Sequence, residues 1–283
     1  MNREVKRYVG KNPRLKGVMN LYREVFSTQR KLSRDIPDQF PHIRGAQVSF
    51  RIEENELLIK PDELEVDLQV LREILRELGK VLEKKGEGPL EGMERFLEEE
   101  LEDDEKLRGL IDAFLEHDDE ELAERMEACS LGPAVLHMLL HISLAPFFWK
   151  TTGALLRKTN LGQVPQGRCP VCGDLPVMGY LRPDDGLRVL ECSLCGARWG
   201  FPRIMCPFCS NMDQEKLRYI FADKDDSRRV YLCEACRKYI KISAPPGEKD
   251  EEFVLPLEDL ATAHLDLAAD EMGYERGCRT AFS

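Results

Sequence analysis

Eight of the ten cysteines in this 283-residue chain occur in four CxxC pairs, and these pairs are the residues best suited to chemistry. The pairs are Cys169/Cys172, Cys192/Cys195, Cys206/Cys209 and Cys233/Cys236. Gaps of 19, 10 and 23 residues separate successive pairs. The first gap is typical of a four-cysteine zinc site, and the third is slightly longer. Four thiolates form a closed tetrahedral site that suits zinc or a single iron. We therefore predict two metal ions per chain, zinc or iron, with all eight paired cysteines as ligands.

The sequence around the cysteine pairs repeats one plan. Residues 176–181 and 187–191 flank a turn, as do residues 217–222 and 228–232, and a third β-type run follows each unit. Both segments therefore predict hairpins. Because a hairpin returns the chain, the second CxxC pair of each unit is brought to face the first. Sequential pairing is favoured, and a cross-braced arrangement is the alternative.

The residues before the cysteines predict helices. Leucines from Leu64 to Leu82 recur at steps of three and four, which indicates one apolar stripe on a helix that Pro61 opens. Gly132-Pro133 begins a mostly apolar helix that runs to about Phe148. Residues 46–59 are compatible with a short strand pair or a loop. Between Glu87 and Glu127 there are 18 acids and 4 bases, which indicates a solvated helical face or a docking face for a basic partner.

A change in composition at residues 160–167 indicates a domain boundary. We predict an α+β fold: an acidic all-α helical domain over residues 1–160, two tandem rubredoxin-like or zinc-ribbon four-cysteine units, and a C-terminal helix. The first unit is assigned to residues 168–204 and the second to residues 205–244. The C-terminal helix is assigned to residues 256–273 and is expected to pack back on the body of the protein.

Composition and charge exclude several classes of function. The formal net charge of −11 argues against nucleic acid as a partner, because binding to phosphates requires a basic surface. The basic N-terminus has no apolar run behind it, and the apolar stretch 134–149 is too short to span a bilayer. We therefore expect a cytoplasmic protein without membrane insertion, in a compartment where thiols stay reduced.

The other candidate residues are weaker. His137 and His141 lie four apart, but the sequence HMLLH lacks the glutamate of a zinc-protease HExxH motif, so a buried or partner-facing pair is expected. Cys129 and Cys278 stand outside the pairs and are interpreted as packing residues. The chain has no Walker A or GxSxG sequence. No catalytic residue is therefore predicted, and we do not expect an enzyme.

Four segments carry a family resemblance: CPVCGDLPV at 169–177, LECSLCGARWGFPRIMCPFC at 190–209, CEACRKYIKI at 233–242 and LEDLATAHLDLAADEMGY at 257–274. They resemble the FdhE accessory proteins of formate dehydrogenase. The resemblance implies a cytoplasmic assembly factor that binds the catalytic subunit of a molybdenum- or tungsten-dependent formate dehydrogenase. It also implies two rubredoxin-like folds whose paired cysteines ligate iron or zinc. The alternatives are a redox or sulfur-handling protein that uses a four-cysteine iron site and a zinc-ribbon module associated with nucleic acid.

Overall fold

The computed structural model describes residues 2–37, 45–85, 90–157, 161–222, 225–244 and 254–278. Helices occupy the N-terminal part, a single mixed sheet follows, and short helices lie after the sheet. The α+β fold class predicted from the sequence is confirmed. None of the helices in these ranges is both long and apolar enough to cross a membrane.

Side-chain caps mark where helical segments begin: Asn12 precedes a 3₁₀ turn at Pro13–Leu15, and Asp103 precedes the helix that starts at Asp104. Asn12 accepts a hydrogen bond from the backbone N–H of Arg14, and Asp103 accepts two from the first turn of its helix. The helices are α1 (Asn2–Lys11), α2 (Lys16–Leu32), α3 (Gly45–Glu53), α4 (Leu68–Lys85), α5 (Met93–Arg95, continued by a π-helical turn at Phe96–Glu100), α6 (Asp104–Leu115), α7 (Asp119–Glu127) and α8 (Pro133–Leu156).

Two stretches differ from the sequence-based expectation. Residues 46–59 contain helix α3 and then an irregular segment, in which the N–H groups of Leu58 and Ile59 donate to the carbonyls of Pro170 and Val171 within the first CxxC turn. The leucine stripe lies on a helix as predicted, but α4 begins at Leu68 and not at Pro61. Pro61–Glu63 forms a separate 3₁₀ turn, and Asp67 then caps the new helix by accepting the N–H of Gln69.

Helix α8 lies at the centre of the helical part. Its sequence is apolar on all sides, as expected of a helix that neighbouring elements surround, and α2 and α4 both pack against it. The apolar core around α8 continues without a break into the first cysteine unit, where Leu190, Trp199 and Phe201 are buried in the same cluster. The helices and the first unit therefore stabilise each other.

The strands form one sheet in the order β3-β2-β1-β6-β5-β4, with β7 paired to β6. The strands are β1 (Pro176–Leu181), β2 (Arg188–Cys192), β3 (Arg198–Phe201), β4 (Leu217–Ala222), β5 (Asp225–Cys233), β6 (Lys238–Ser243) and β7 (Glu275–Arg276). Strands β1 and β2, and β4 and β5, form the two predicted antiparallel hairpins. A parallel pairing of β1 with β6, through Gly179 and Ile242, joins the two units into one sheet.

The C-terminal segment forms two helices where a single helix was predicted. Helix α9 (Leu255–Ala261) packs on β1 and α1, and helix α10 (Ala263–Glu271) packs on β5. The division falls at the buried Thr262, whose hydroxyl donates to the carbonyls of Glu258 and Asp259. This side-chain hydrogen bonding competes with the helical pattern and changes the direction of the chain.

A buried ion network fastens these helices to the sheet. The ammonium of Lys241 on β6 is 2.8 Å from a carboxylate oxygen of Asp259 and 2.6 Å from one of Asp266. Arg276 on β7 binds the same two carboxylates. Because all four groups are mostly buried, each charge depends on its partners.

Candidate metal centres

Each CxxC pair lies in a tight turn of the same construction. In the first turn, the N–H of Gly173 donates to the carbonyl of Cys169 at 2.9 Å, and equivalent bonds close the turns at Ser210 and Arg237. The residue after the second cysteine has a positive φ in all four turns: 82° at Gly173, 69° at Gly196, and 58° at both Ser210 and Arg237. Glycine suits this conformation, so the second unit adopts it at a steric cost that the first avoids.

The first four-cysteine cluster consists of Cys169, Cys172, Cys192 and Cys195. The Sγ atoms of Cys169 and Cys195 are 3.5 Å apart, as are those of Cys172 and Cys192. All four sulfurs lie within 4.8 Å of one another, and all four residues are buried. Helix α8 reaches this centre directly, because the indole N–H of Trp149 donates to the carbonyl of Leu194 at 3.0 Å.

The second cluster consists of Cys206, Cys209, Cys233 and Cys236. Cys206 and Cys236 have their Sγ atoms 3.7 Å apart, and Cys209 and Cys233 have theirs 3.6 Å apart. Cys206 and Cys233 are buried, whereas Cys236 is half-buried and Cys209 is exposed. The second centre is therefore open to solvent on one side. The grouping in both clusters is the sequential one that the hairpins predict.

Backbone amides surround the sulfurs. The N–H of Val171 points at Cys169 Sγ (3.3 Å), and the N–H of Phe208 points in the same way at Cys206 Sγ (3.4 Å). In the second unit the side-chain amide of Asn211 also lies 3.8 Å from Cys233 Sγ. Hydrogen bonds of this kind stabilise the charged thiolate form that a metal ion requires.

Burial and mutual contact shift the pKa values of these thiols. Burial raises the pKa of Cys172 and Cys195 well above the usual range, and contacts with neighbouring cysteines add to the shift. In Cys169 hydrogen bonds from the other three thiols outweigh burial and lower the pKa. In the second unit burial is also the main cause that raises the pKa of Cys236, to about 11. A divalent ion bound by the four cysteines would favour their thiolate forms, because its positive charge would displace the protons.

Both clusters fit a tetrahedral ion. Sulfurs at ~2.3 Å from a zinc ion define a tetrahedron with edges of ~3.8 Å, close to the distances of 3.5 to 3.7 Å between the facing sulfurs. Four protein ligands leave no open position for water or substrate, in contrast to hydrolytic zinc sites. The two clusters can therefore hold ions that cross-link the chain. The sulfur geometry suits zinc and iron equally.

His141 belongs to a contact between the helices and the first unit that sequence reasoning missed. Its Nε2 lies 3.4 Å from the hydroxyl of Ser193, and that hydroxyl donates to Asp174 at 2.7 Å. His137 packs with its ring 5.4 Å from that of Phe114. The prediction of a buried histidine holds for His141. The sequence signals for this contact are the positions of Asp174, two residues after Cys172, and of Ser193, inside the second CxxC pair.

The two unpaired cysteines lie in packed surroundings. The thiol of Cys129 donates to the carbonyl of Arg125, and burial raises its pKa to about 11. Cys278 is buried against the carbonyl of Leu175, and burial raises its pKa as well. A raised pKa keeps both residues in the poorly nucleophilic thiol form at neutral pH.

These features define the class: an α+β protein with a helical part and two hairpin units, each of which carries one four-cysteine cluster. Residues 168–203, which hold the first cluster, match the family described as the central domain of FdhE. The expected resemblance to the FdhE proteins is thereby confirmed.

Individual relatives agree with this match. The chain is 36% identical over 109 residues to an FdhE homologue from Aquifex aeolicus, and the aligned region covers 38% of each chain. It is 30% identical over 192 residues to an FdhE homologue from Pectobacterium atrosepticum, and this alignment covers 66% of this chain and 55% of the relative. The chain thus spans about half the length of the curated relatives, or less. The crystal structure of the FdhE protein from Pseudomonas aeruginosa shares the fold, with a TM-score of 0.66 at 22% identity, over 99% of this chain and 92% of that one.

Proposed function

We propose that this chain is a cytoplasmic assembly and maturation factor that binds the catalytic subunit of a molybdenum- or tungsten-dependent formate dehydrogenase, and that it is not an enzyme. The observation that carries the proposal is the match of residues 168–203 to the FdhE central domain, the segment that contains the first four-cysteine cluster. The shared fold over 99% of the chain supports it further.

The proposal includes two bound ions, zinc or iron. Cys169, Cys172, Cys192 and Cys195 would hold the first, and Cys206, Cys209, Cys233 and Cys236 would hold the second. Each bound ion supplies a cross-link between two turns of a small β unit. Because both sites are closed by protein ligands, their chemistry favours a scaffold for docking over hydrolytic catalysis.

Affinity capture tests the partner. The tagged, metal-loaded chain is recovered from cells that express formate dehydrogenase, and bound chains are identified by mass spectrometry. We expect the catalytic subunit in the capture and its absence from a capture with an unrelated bait that carries the same tag. Repeated failure to recover the catalytic subunit, with a folded and metal-loaded bait, would refute the proposed partner.

A redox or sulfur-handling role is the second candidate, and the exposure of Cys209 in the second centre favours it. Metal analysis and absorption spectroscopy of the purified protein distinguish the two. A coloured, iron-loaded protein with a measurable midpoint potential would support the redox role. A colourless protein filled with zinc would exclude redox chemistry at the metal.

A further inference from the structure

A groove of about 340 Å³ lies between the second hairpin and the segment that connects the two units. Tyr219 and Tyr231, directly opposite each other on β4 and β5, form its aromatic side with ring centroids 5.7 Å apart. Tyr219 also stacks on Phe221, and these two rings are 51% exposed each. Helix α10 covers the opposite face of this hairpin. The aromatic face is therefore an apolar surface that the described part of the chain leaves in contact with solvent.

The groove is basic although the whole chain is acidic. Five cationic residues line it and, among the described residues, no carboxylate does; the five are Arg188, Arg203, Arg218, Arg229 and Lys238. Of these, Arg218 alone forms an ion pair with a described carboxylate, that of Glu234. A concentration of positive charge on a chain with a net charge of −11 indicates complementarity to an anionic ligand.

Arg188 at the base of the groove strengthens this argument. Its side chain is 2% exposed, its guanidinium donates to the carbonyls of Pro202 and Met205, and its Nε has no hydrogen-bond partner among the residues that the structure describes. The guanidinium lies 4.9 Å from the ring of Phe201. Within the described chain its charge is compensated by carbonyls, aromatic rings and the nearby thiol group of Cys206 and by no carboxylate, so an anion in the groove would add to that compensation.

Strand β4 adds a backbone element to the site. It is the last strand in the order of the sheet and pairs only with β5 within the described chain, so its other edge offers free N–H and C=O groups. An extended peptide can pair with such an edge, with alternate side chains directed into neighbouring pockets. A nucleic acid cannot use these backbone groups as a strand does. The free edge therefore favours a peptide as the occupant.

We propose that this groove and the edge of β4 bind an extended acidic segment of a partner protein. Carboxylates of the segment lie near Arg203 and Arg229, and an apolar side chain packs on Tyr219. The inference deepens the proposed function and rests on it for the identity of the partner, since it names the surface that would receive a segment of the catalytic subunit.

Fluorescence anisotropy with a labelled peptide tests the groove on the full, metal-loaded chain. The probe has about twelve residues, in which Glu and Phe take turns at every second position, with Ser between them, so that both project to the face that Tyr219 and Arg229 share. The control peptide carries Lys in place of Glu. We expect binding of the acidic peptide alone, and weaker binding as the salt concentration rises. Equal affinity for the two peptides, or no binding of either, would overturn the proposal.

Matched variants locate the binding. Arg203→Glu with Arg229→Glu should weaken binding at least ~10-fold, and Tyr219→Ala should weaken it about tenfold. The controls are Arg14→Glu, outside the groove, and Phe50→Ala, which removes an exposed aromatic ring from α3. Metal content and circular dichroism check that each variant folds. If the groove variants bind like the controls, the groove is not the site.

Two further comparisons separate the possible failures. If oligothymidylate displaces the peptide at lower concentration than the peptide itself does, a nucleic acid is the preferred occupant and the peptide proposal is wrong. In the cellular capture, recovery of the catalytic subunit by wild type and groove variants alike refutes the groove and leaves the proposed function intact. No recovery by wild type refutes the proposed function, and the peptide measurement then decides the groove by itself.

Discussion

Cys192→Ser and Cys233→Ser form a matched pair that tests how differently the two centres contribute to stability. Each cysteine ends the second strand of its hairpin, and each is 2% exposed. We expect each variant to lose one of two bound ions. Cys192, however, is part of the main apolar core with helix α8, whereas Cys233 lies outside that core.

The expected sizes follow from this placement. A four-thiolate ion contributes ~10–16 kcal/mol of apparent binding free energy, whereas the whole stability of a domain is ~5–15 kcal/mol. Loss of the first ion leaves three buried thiols and a buried serine hydroxyl inside the shared core, so Cys192→Ser should destabilise α8 together with the first unit. Cys233→Ser should loosen β4 and β5, together with α10 that packs on β5, and leave helices α2, α4 and α8 folded.

Hydrogen exchange with mass spectrometry measures this difference peptide by peptide, and metal analysis confirms the loss of one ion. Peptides from α8 should lose protection in Cys192→Ser and keep it in Cys233→Ser. Unchanged protection of α8 in a Cys192→Ser protein that has verifiably lost one ion would refute the reasoning. It would mean that the helical core does not depend on the first centre.

Three further predictions concern packing, the ion network and a free thiol. Gly167→Ala places a methyl group 1.6 Å from a backbone carbonyl oxygen of the second unit and should lower the urea midpoint of unfolding. Gly153→Ala adds a methyl group in open space on α8 and should raise the free energy of unfolding by ~0.5–1 kcal/mol. Equal effects of the two variants would contradict the structure. Lys241→Met removes one of the two cations that compensate the carboxylates of Asp259 and Asp266, so Arg276 alone faces two buried negative charges. This variant should cost about 3–5 kcal/mol in urea unfolding, while the exposed Lys216→Met should cost little. Because burial raises the pKa of Cys129 to about 11, about one Cys129 thiol in a thousand is ionised at pH 8. The rate of its alkylation should therefore rise about tenfold per pH unit from pH 7 to pH 10. A plateau of this rate below pH 9 would contradict the raised pKa.

The cysteine clusters could be predicted because their geometry is local. A CxxC turn closes within a few residues, and a hairpin of fixed length returns the chain to face it. The leucine stripe of α4 and the apolar α8 could also be predicted, because each depends on the spacing of apolar residues within one helix. The role of the eight cysteines as ligands and the division into units at 1–160, 168–204, 205–244 and 256–273 stay predictions.

The remaining features depend on contacts between distant residues. The parallel pairing of β1 with β6 joins residues such as Gly179 and Ile242, and nothing in either strand specifies that partner. The irregular segment after α3 is held by hydrogen bonds to Pro170 and Val171. Periodicity cannot report such pairings, because it measures only the spacing of residues along one element.

The same long-range contacts give the two centres different surroundings. The first centre lies in the core that the helices share, so its ion would be needed for the fold as a whole. The second centre lies beside the basic groove, because Cys206 and Cys233 line that groove and Cys209 is exposed. A chelator should therefore reach the second ion first. Its removal should loosen the groove before it affects the helices, so the loading of the second centre would control docking while the first maintains the fold.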